Sequence, residues 1–216
     1  MTIARDGFPF IAGGLGMGAL LAAMYVASGF WPILVFGLIF IVFGCFCLVF
    51  FRNPRRTIPD DEAILVSPAD GRILRVQPVE DPFVGRGTRV DIFLSIFDVH
   101  LNRIPASGKI AFVEYRPGRF FSAFKDKASE DNERTDVGIS GAGGNLRVAQ
   151  IAGSIARRIV CRVHQHDDVR RGQIFGLIRF GSRAEITFPR TYAAEVVVGQ
   201  RLKGGVTIIG RWTGHG

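Results

Sequence analysis

A serine, a histidine and an aspartate, far apart in the chain, are the residues most able to carry chemistry. Ser154 follows Gly153 inside the apolar stretch Gln150–Ile155, so a Gly-Ser pair interrupts what the pattern predicts to be a buried strand. Glycine lacks a Cβ, and the backbone there can take strained dihedrals and admit the close approach of another group. A bulge in a purely structural strand uses glycine in the same way. The pattern alone leaves both interpretations open.

His100 and Asp70 are the candidate partners of such a serine. His100 follows the apolar run Ile92–Phe97, so a buried strand can hold the ring while its tip reaches a cleft. Imidazole titrates near neutrality, which suits proton transfer, although a histidine bonded to a backbone carbonyl is the structural alternative. Asp70 lies in Ser67–Gly71, where Asp-Gly after proline is good turn chemistry by itself. A functional Asp70 requires pairing with His100.

The N-terminal part of the chain has the composition of a membrane anchor. No charged residue occurs from Gly7 to Phe51, a run about twice the length that one helix needs to cross a bilayer. The run breaks near Ser28–Pro32, which predicts two transmembrane helices, at about 8–27 and 31–51. One span plus an interfacial helix is the alternative. Arginines flank the run on both sides, so both ends are expected on the cytoplasmic side of the inner membrane.

The rest of the chain is predicted to be mainly β. After an anchor of residues 1–56, residues 57–216 contain short β-branched and aromatic segments separated by turn residues. Two stretches, Val66–Ile73 and Asp168–Ile178, are weakly similar to each other and resemble the two halves of the barrel-sandwich pattern of lipoyl and biotinyl carriers. The expected fold is therefore a barrel-sandwich-hybrid-like (lipoyl-like) β domain behind a transmembrane helical hairpin.

The net charge and the cysteine content limit the kinds of binding partner and the compartment that this chain is expected to have. The formal net charge is +8, which suits an anionic bilayer surface or nucleic acid. No helix-turn-helix, zinc-finger or aromatic RNA-binding pattern occurs, so lipid is the expected partner and nucleic acid is not, while a solvated basic surface without a partner stays open. The three cysteines are too few for a disulfide framework, which indicates a reducing compartment. No His, Cys and carboxylate spacing predicts a metal site.

Taken in order, the motifs of this chain resemble those of phosphatidylserine decarboxylases, specifically the short form with a small membrane anchor. No single motif is decisive, but their order along most of the soluble region is specific. The matching segments are Phe51–Pro54, Ser67–Gly71, Val99–Arg103, Lys127–Arg134, Gln150–Ser154 and Phe175–Ser182.

The resemblance implies a self-cleaving proenzyme. Ser154 would attack the carbonyl of Gly153, with His100 as the base and Asp70 fixing its tautomer, as in a triad. Cleavage between residues 153 and 154 would leave a pyruvoyl group on the smaller chain, which stays with the larger one as a heterodimer. That group, without a metal, would serve the decarboxylation of phosphatidylserine to phosphatidylethanolamine. A homo-oligomer is left open.

One position departs from the family pattern. Longer members have two histidines three residues apart, and here Arg103 stands where the second would fall. His100 is expected to serve both reactions, with His164 or His166 as the alternative processing base. Arg103 would then hold a substrate carboxylate or phosphate by bidentate hydrogen bonds.

Three more residues are predicted to contact the substrate. Phe120 and Phe121 stand beside a charged stretch and would wall a lipid site, unless they pack on their own core. Arg134 is the second basic candidate.

Two other interpretations remain. A membrane-anchored barrel-sandwich module that binds a partner would never cut itself. A pyruvoyl decarboxylase of a soluble amino acid would gain nothing from the anchor.

Overall fold

A computed structural model describes residues 1–118, 132–153, 158–179 and 182–214 of the chain. By its internal contacts the chain divides into two compact units, Met1–Arg55 and Arg56–Gly216. Two predicted site residues, Phe120 and Phe121, and the predicted nucleophile Ser154 lie outside the described residues.

The first unit is a pair of apolar helices. Helix α1 spans Phe8–Ser28 and ends where Gly29 takes a left-handed conformation, with φ of 66°. Helix α2 spans Trp31–Phe50 and has a proline in its first turn, where the missing amide hydrogen costs nothing. Both helices are long and apolar enough to cross a membrane. Short strands β1 (Thr2–Ile3) and β2 (Arg52–Asn53) pair beside the helix ends.

Small residues let the two helices approach closely. A Cβ atom on Gly14 would lie 2.9 Å from the Cα atom of Gly44, and one on Gly18 would lie 3.0 Å from the carbonyl oxygen of Gly37. Side chains larger than glycine at these positions would force the two helices apart.

The described part of the second unit is built from β-strands. In chain order they are β3 (Ile64–Val66), β4 (Gly71–Asp81), β5 (Gly85–Leu94), β6 (Leu101–Arg103), β7 (Gly108–Arg116), β8 (Arg134–Gly141), β9 (Gly144–Ala152), β10 (Ile159–Cys161), β11 (Asp168–Val169), β12 (Ile174–Ile178), β13 (Ser182–Pro189), β14 (Tyr192–Ala194), β15 (Arg201–Leu202) and β16 (Ile208–Trp212). A mainly β domain behind two apolar helices is thus confirmed.

Eight of these strands form one curled antiparallel sheet in the order β11-β7-β8-β9-β13-β5-β4-β15. Two three-stranded sheets, β10-β12-β6 and β14-β16-β3, complete the unit. Strand β13 lies between β9 and β5, so it is hydrogen-bonded along both of its edges. The core is apolar on one face of the large sheet, where fully buried side chains such as Val90, Ile92, Val148 and Ile186 pack together.

The opposite face of the large sheet carries charges in rows. Asp136, Glu185 and Asp91 lie at matched positions on β8, β13 and β5, with Ala149 of β9 between the first two. Arginines lie on both sides of this acidic row, because each strand places residues two apart on one face. Ion pairs on this face join Arg134 to Asp136 at 2.6 Å, Arg147 to Asp81 at 2.7 Å and Arg89 to Asp91 at 3.2 Å.

Candidate active site

The ends of three neighbouring strands, β9, β13 and β5, lie side by side in the large sheet. Ser182, the first residue of β13, is paired with Ala152 at the end of β9 and with Leu94 at the end of β5. Gly153 follows Ala152 directly, and the chain beyond Leu94 turns back through Asp98 to His100. The segment that ends in Gly153 and the segment that leads to His100 therefore both leave the sheet at these strand ends.

His100 is fully buried. Its Nδ1 lies 3.0 Å from the carbonyl oxygen of Asp98. A carbonyl oxygen can only accept a hydrogen bond, so Nδ1 carries the proton of the neutral ring and Nε2 carries the lone pair. The ring is thus held in the tautomer that can take a proton through Nε2.

Strand β12 connects His100 to the end of β9. The amide of Ile178 donates to the carbonyl oxygen of His100 across 3.3 Å. Ile178 in turn packs against Ala152 in a small buried apolar cluster with Ile159 at its margin. Ile178 therefore links the two segments: its side chain packs against Ala152, the residue before Gly153, and its amide is hydrogen-bonded to the backbone of His100.

A pair of buried amide side chains lies next to this cluster. Nε2 of Gln150 donates to Oδ1 of Asn102 across 2.9 Å, and both residues are fully buried. Gln150 belongs to β9, while Asn102 belongs to β6 and lies opposite Gly176 of β12. Sequence reasoning gave neither residue a role.

Asp70 has other partners than the predicted one. Its Oδ2 accepts a hydrogen bond of 2.7 Å from Nη2 of Arg56, and its Oδ1 accepts one of 2.9 Å from the amide of Gly204. The Arg56 guanidinium also donates to the carbonyl oxygen of Gly204. The structure thus does not join Asp70 to His100 by a hydrogen bond, and a backbone carbonyl, not Asp70, orients the ring.

The predicted substrate arginines differ in their surroundings. Nη1 of Arg103 donates to the carbonyl oxygen of Gly172, and burial, with the nearby charge of Arg56, lowers the pKa of its guanidinium. Asp70 acts on that pKa in the opposite direction. Arg134 forms two hydrogen bonds to the carboxylate of Asp136, so it is already part of the charged rows.

Ser182 is a candidate that sequence reasoning missed. It is fully buried, and its hydroxyl group has no hydrogen-bond partner within the part of the chain that the structure describes. A buried hydroxyl group without a partner costs free energy, which calls for an explanation such as a reactive role. The sequence feature that indicates Ser182 is a second Gly-Ser pair, Gly181-Ser182, at the end of the segment Phe175–Ser182.

The described ranges contain no group of three or more His, Cys, Asp or Glu side chains that could hold a metal ion.

Comparison with known proteins gives a consistent result. The family model described as phosphatidylserine decarboxylase matches residues 43–210. A protein of Nitratidesulfovibrio vulgaris is 44% identical over 218 residues, which cover 100% of this chain and 97% of that protein. One of Carboxydothermus hydrogenoformans is 45% identical, with 99% and 98% covered, and one of Rhodopirellula baltica is 38% identical, with 96% and 90% covered. All three are named phosphatidylserine decarboxylase proenzyme.

Proposed function

Because this chain belongs to the phosphatidylserine decarboxylase family, we propose that it is a proenzyme that cuts itself at a Gly-Ser bond and then decarboxylates phosphatidylserine. It is a carboxy-lyase whose products are phosphatidylethanolamine and carbon dioxide. The observation that carries the proposal is that Ser182 pairs with Ala152, the residue before Gly153, while Ile178 packs against Ala152 and donates to the backbone of His100.

Self-cleavage starts with the serine hydroxyl group. Its Oγ attacks the carbonyl carbon of the preceding glycine, and the peptide bond becomes an ester as the nitrogen leaves the glycine. Elimination then removes the Cα proton of the serine and breaks the Cβ–Oγ bond, which releases the larger chain with a glycine carboxylate. Water converts the remaining dehydroalanine to a pyruvoyl group and releases ammonia.

His100 is the proposed base for the first step. The Asp98 carbonyl oxygen holds the proton on Nδ1, so Nε2 can accept the proton of the serine hydroxyl. The neutral ring also fits a fully buried site, where a permanent charge would be costly. Asp70, predicted as the third catalytic residue, is proposed instead as a positioning residue that holds Arg56 and acts by its charge on Arg103.

Two Gly-Ser bonds compete for the cut. The motif reasoning favoured Gly153-Ser154. The buried hydroxyl of Ser182 favours Gly181-Ser182, because a serine that structure alone would retain is expected to have a hydrogen-bond partner. Ser182 is also held between two strands, which fixes the attacking atom before the reaction. We therefore propose Ser182 as the first candidate and Ser154 as the second.

The residues at these strand ends suit a pyruvoyl group, since a buried serine is its precursor. The ketone and the adjacent carbonyl of that group supply an electron sink for loss of the substrate carboxylate. Arg103 binds the phosphate or carboxylate of the lipid headgroup, with Arg134 as a further cationic contact. Phe120 and Phe121 line the acyl-chain side of the site.

The two apolar helices anchor the enzyme in the inner membrane, with the β unit on the cytoplasmic side, where the basic surface faces anionic lipid. Anchoring suits a substrate that never leaves the bilayer. The curled sheet closed by two small sheets supports a barrel-sandwich, lipoyl-like fold for the β unit.

Intact-mass measurement of the denatured protein tests the first reaction. Cleavage at Ser182 yields chains 1–181 and 182–216, whereas cleavage at Ser154 yields chains 1–153 and 154–216, with the smaller chain blocked to N-terminal sequencing in both cases. Ser182→Ala and Ser154→Ala are matched controls, because the variant of the true nucleophile stays whole while the other is cut.

The second reaction is tested by release of carbon dioxide from carboxyl-labelled phosphatidylserine in mixed micelles, beside free labelled serine. Turnover of the lipid alone is expected. Turnover of serine alone would favour a decarboxylase of soluble amino acids. An uncut, folded wild-type chain would favour the binding module.

A further inference from the structure

We propose that the amide pair Gln150–Asn102 is a positioning device that sets the distance between His100 and the bond that is cut. The inference rests on the proposed function, and it holds for either Gly-Ser bond. Neither side chain is expected to touch the reacting atoms. Their role is to fix the strands that carry those atoms.

The pair joins three segments that lead into the site. Asn102 follows His100 by two residues on β6, and Gln150 precedes Gly153 by three residues on β9. On β12 the pair lies against Gly176, five residues before Gly181: a Cβ there would lie 2.5 Å from Nε2 of Gln150. The same Nε2 lies 3.4 Å from the carbonyl oxygen of Val160 on β10.

Contacts beside the pair show how its position reaches the site. Leu101, next to Asn102, is paired with Leu177, and the next amide along β12, that of Ile178, donates to the carbonyl oxygen of His100. Ile178 also packs against Ala152, two residues beyond Gln150. A slip of β9 or β12 against β6 would therefore shift the strand ends that lead into the two Gly-Ser bonds relative to the backbone of His100.

Stability does not account for the pair. Oε1 of Gln150 and Nδ2 of Asn102 are buried and have no hydrogen-bond partner among the described residues. Leaving buried polar atoms unpaired is unfavourable, whereas replacing both partners by apolar groups of the same shape can be neutral or stabilising. What the amides provide and apolar groups do not is a directional bond, which specifies one register of the strands.

The test compares stability with the rate of self-cleavage. The double variant Gln150→Met/Asn102→Leu keeps the volume but removes the hydrogen bond. We expect its urea midpoint to equal or exceed that of the wild type, while the rate of chain cleavage, followed by intact mass after synthesis, falls about tenfold or more, as for other groups that orient a reaction.

Two further variants complete the test. The exchange variant Gln150→Asn/Asn102→Gln retains an amide–amide bond of the same total length and should recover most of the cleavage rate. Val137→Ala, a core substitution on β8, should lower the urea midpoint without slowing cleavage of the folded protein.

The outcomes separate the proposals. A folded double variant that is cut at the wild-type rate would overturn the inference while leaving the proposed function intact. A double variant that cannot fold would also overturn it, since the pair would then be needed for stability. A wild-type chain that stays uncut would overturn the proposed function and this inference with it.

Discussion

The Nδ1 atom of His100 is hydrogen-bonded to the carbonyl oxygen of Asp98, two residues earlier in the same turn. The bond needs no charged partner, so the tautomer of the ring is fixed by local backbone geometry. The bond leaves the Nε2 atom as the one that can take up a proton.

Replacing His100 should therefore slow self-cleavage strongly. In His100→Gln the side chain can still hydrogen-bond but cannot take up a proton, and we expect the cleavage rate to fall by about 100-fold or more. The fraction of uncut chain is measured by intact mass at fixed times after synthesis.

His164→Asn and His166→Asn are the matched controls, because both histidines are exposed. His166 has a positive φ of 76°, a conformation that asparagine tolerates. Both variants should be cut at the wild-type rate. Slow cleavage in either, with a normally cut His100→Gln chain, would make that residue the base.

The Asp70–Arg56 ion pair should contribute to stability. Asp70→Asn keeps an acceptor for the Gly204 amide but leaves the largely buried Arg56 charge without its anion, which should cost about 3 kcal/mol in urea unfolding. Arg56→Gln should cost a similar amount, and the double variant less than the sum of both. Additive losses would show that the pair does not couple.

Arg103 should affect substrate binding more than processing. In Arg103→Gln we expect normal self-cleavage and a KM for phosphatidylserine in mixed micelles raised about tenfold, the worth of one charged hydrogen bond. Arg103→Lys keeps the positive charge but loses the bidentate geometry of the guanidinium group, so its KM should lie between those of the wild type and Arg103→Gln. A normal KM with slowed cleavage would instead assign Arg103 to the processing step.

Cys161 should react slowly with alkylating reagents. Burial raises the pKa of its thiol, so at pH 8 its thiolate fraction is smaller than that of a free cysteine. In a Cys45→Ala/Cys47→Ala background, modification by iodoacetamide should be several-fold slower in the folded protein than in urea, and should accelerate as the pH rises. Equal rates in both states would contradict this.

The large features of the fold follow from local patterns in the sequence. The uncharged run from Gly7 to Phe51 predicts helices because their backbone groups bond internally, and the β-branched segments after it predict strands. The partner of Asp70 did not follow, since the turn around it is compatible with any nearby cation, and Arg56 reaches it only in the folded chain.

The charged rows correspond to a short pattern that is repeated in the sequence. Arg89-Val-Asp91, Arg134-Thr-Asp136 and Arg183-Ala-Glu185 repeat one pattern on three strands, and residues two apart share a face of a sheet. Their alignment across the sheet depends on strand register, which no local pattern specifies. The same reason hid the Gln150–Asn102 contact, because the two amides come from strands 48 residues apart in sequence.

The central place of β13 has a consequence for the mature enzyme. Whichever Gly-Ser bond is cut, β13 belongs to the smaller chain, while β9 and β5, which flank it from Ser182 to Thr187, belong to the larger one. The two polypeptides can then separate only by tearing the sheet apart. After cleavage the two chains are thus expected to stay associated, without exchange between molecules, for as long as the protein is folded.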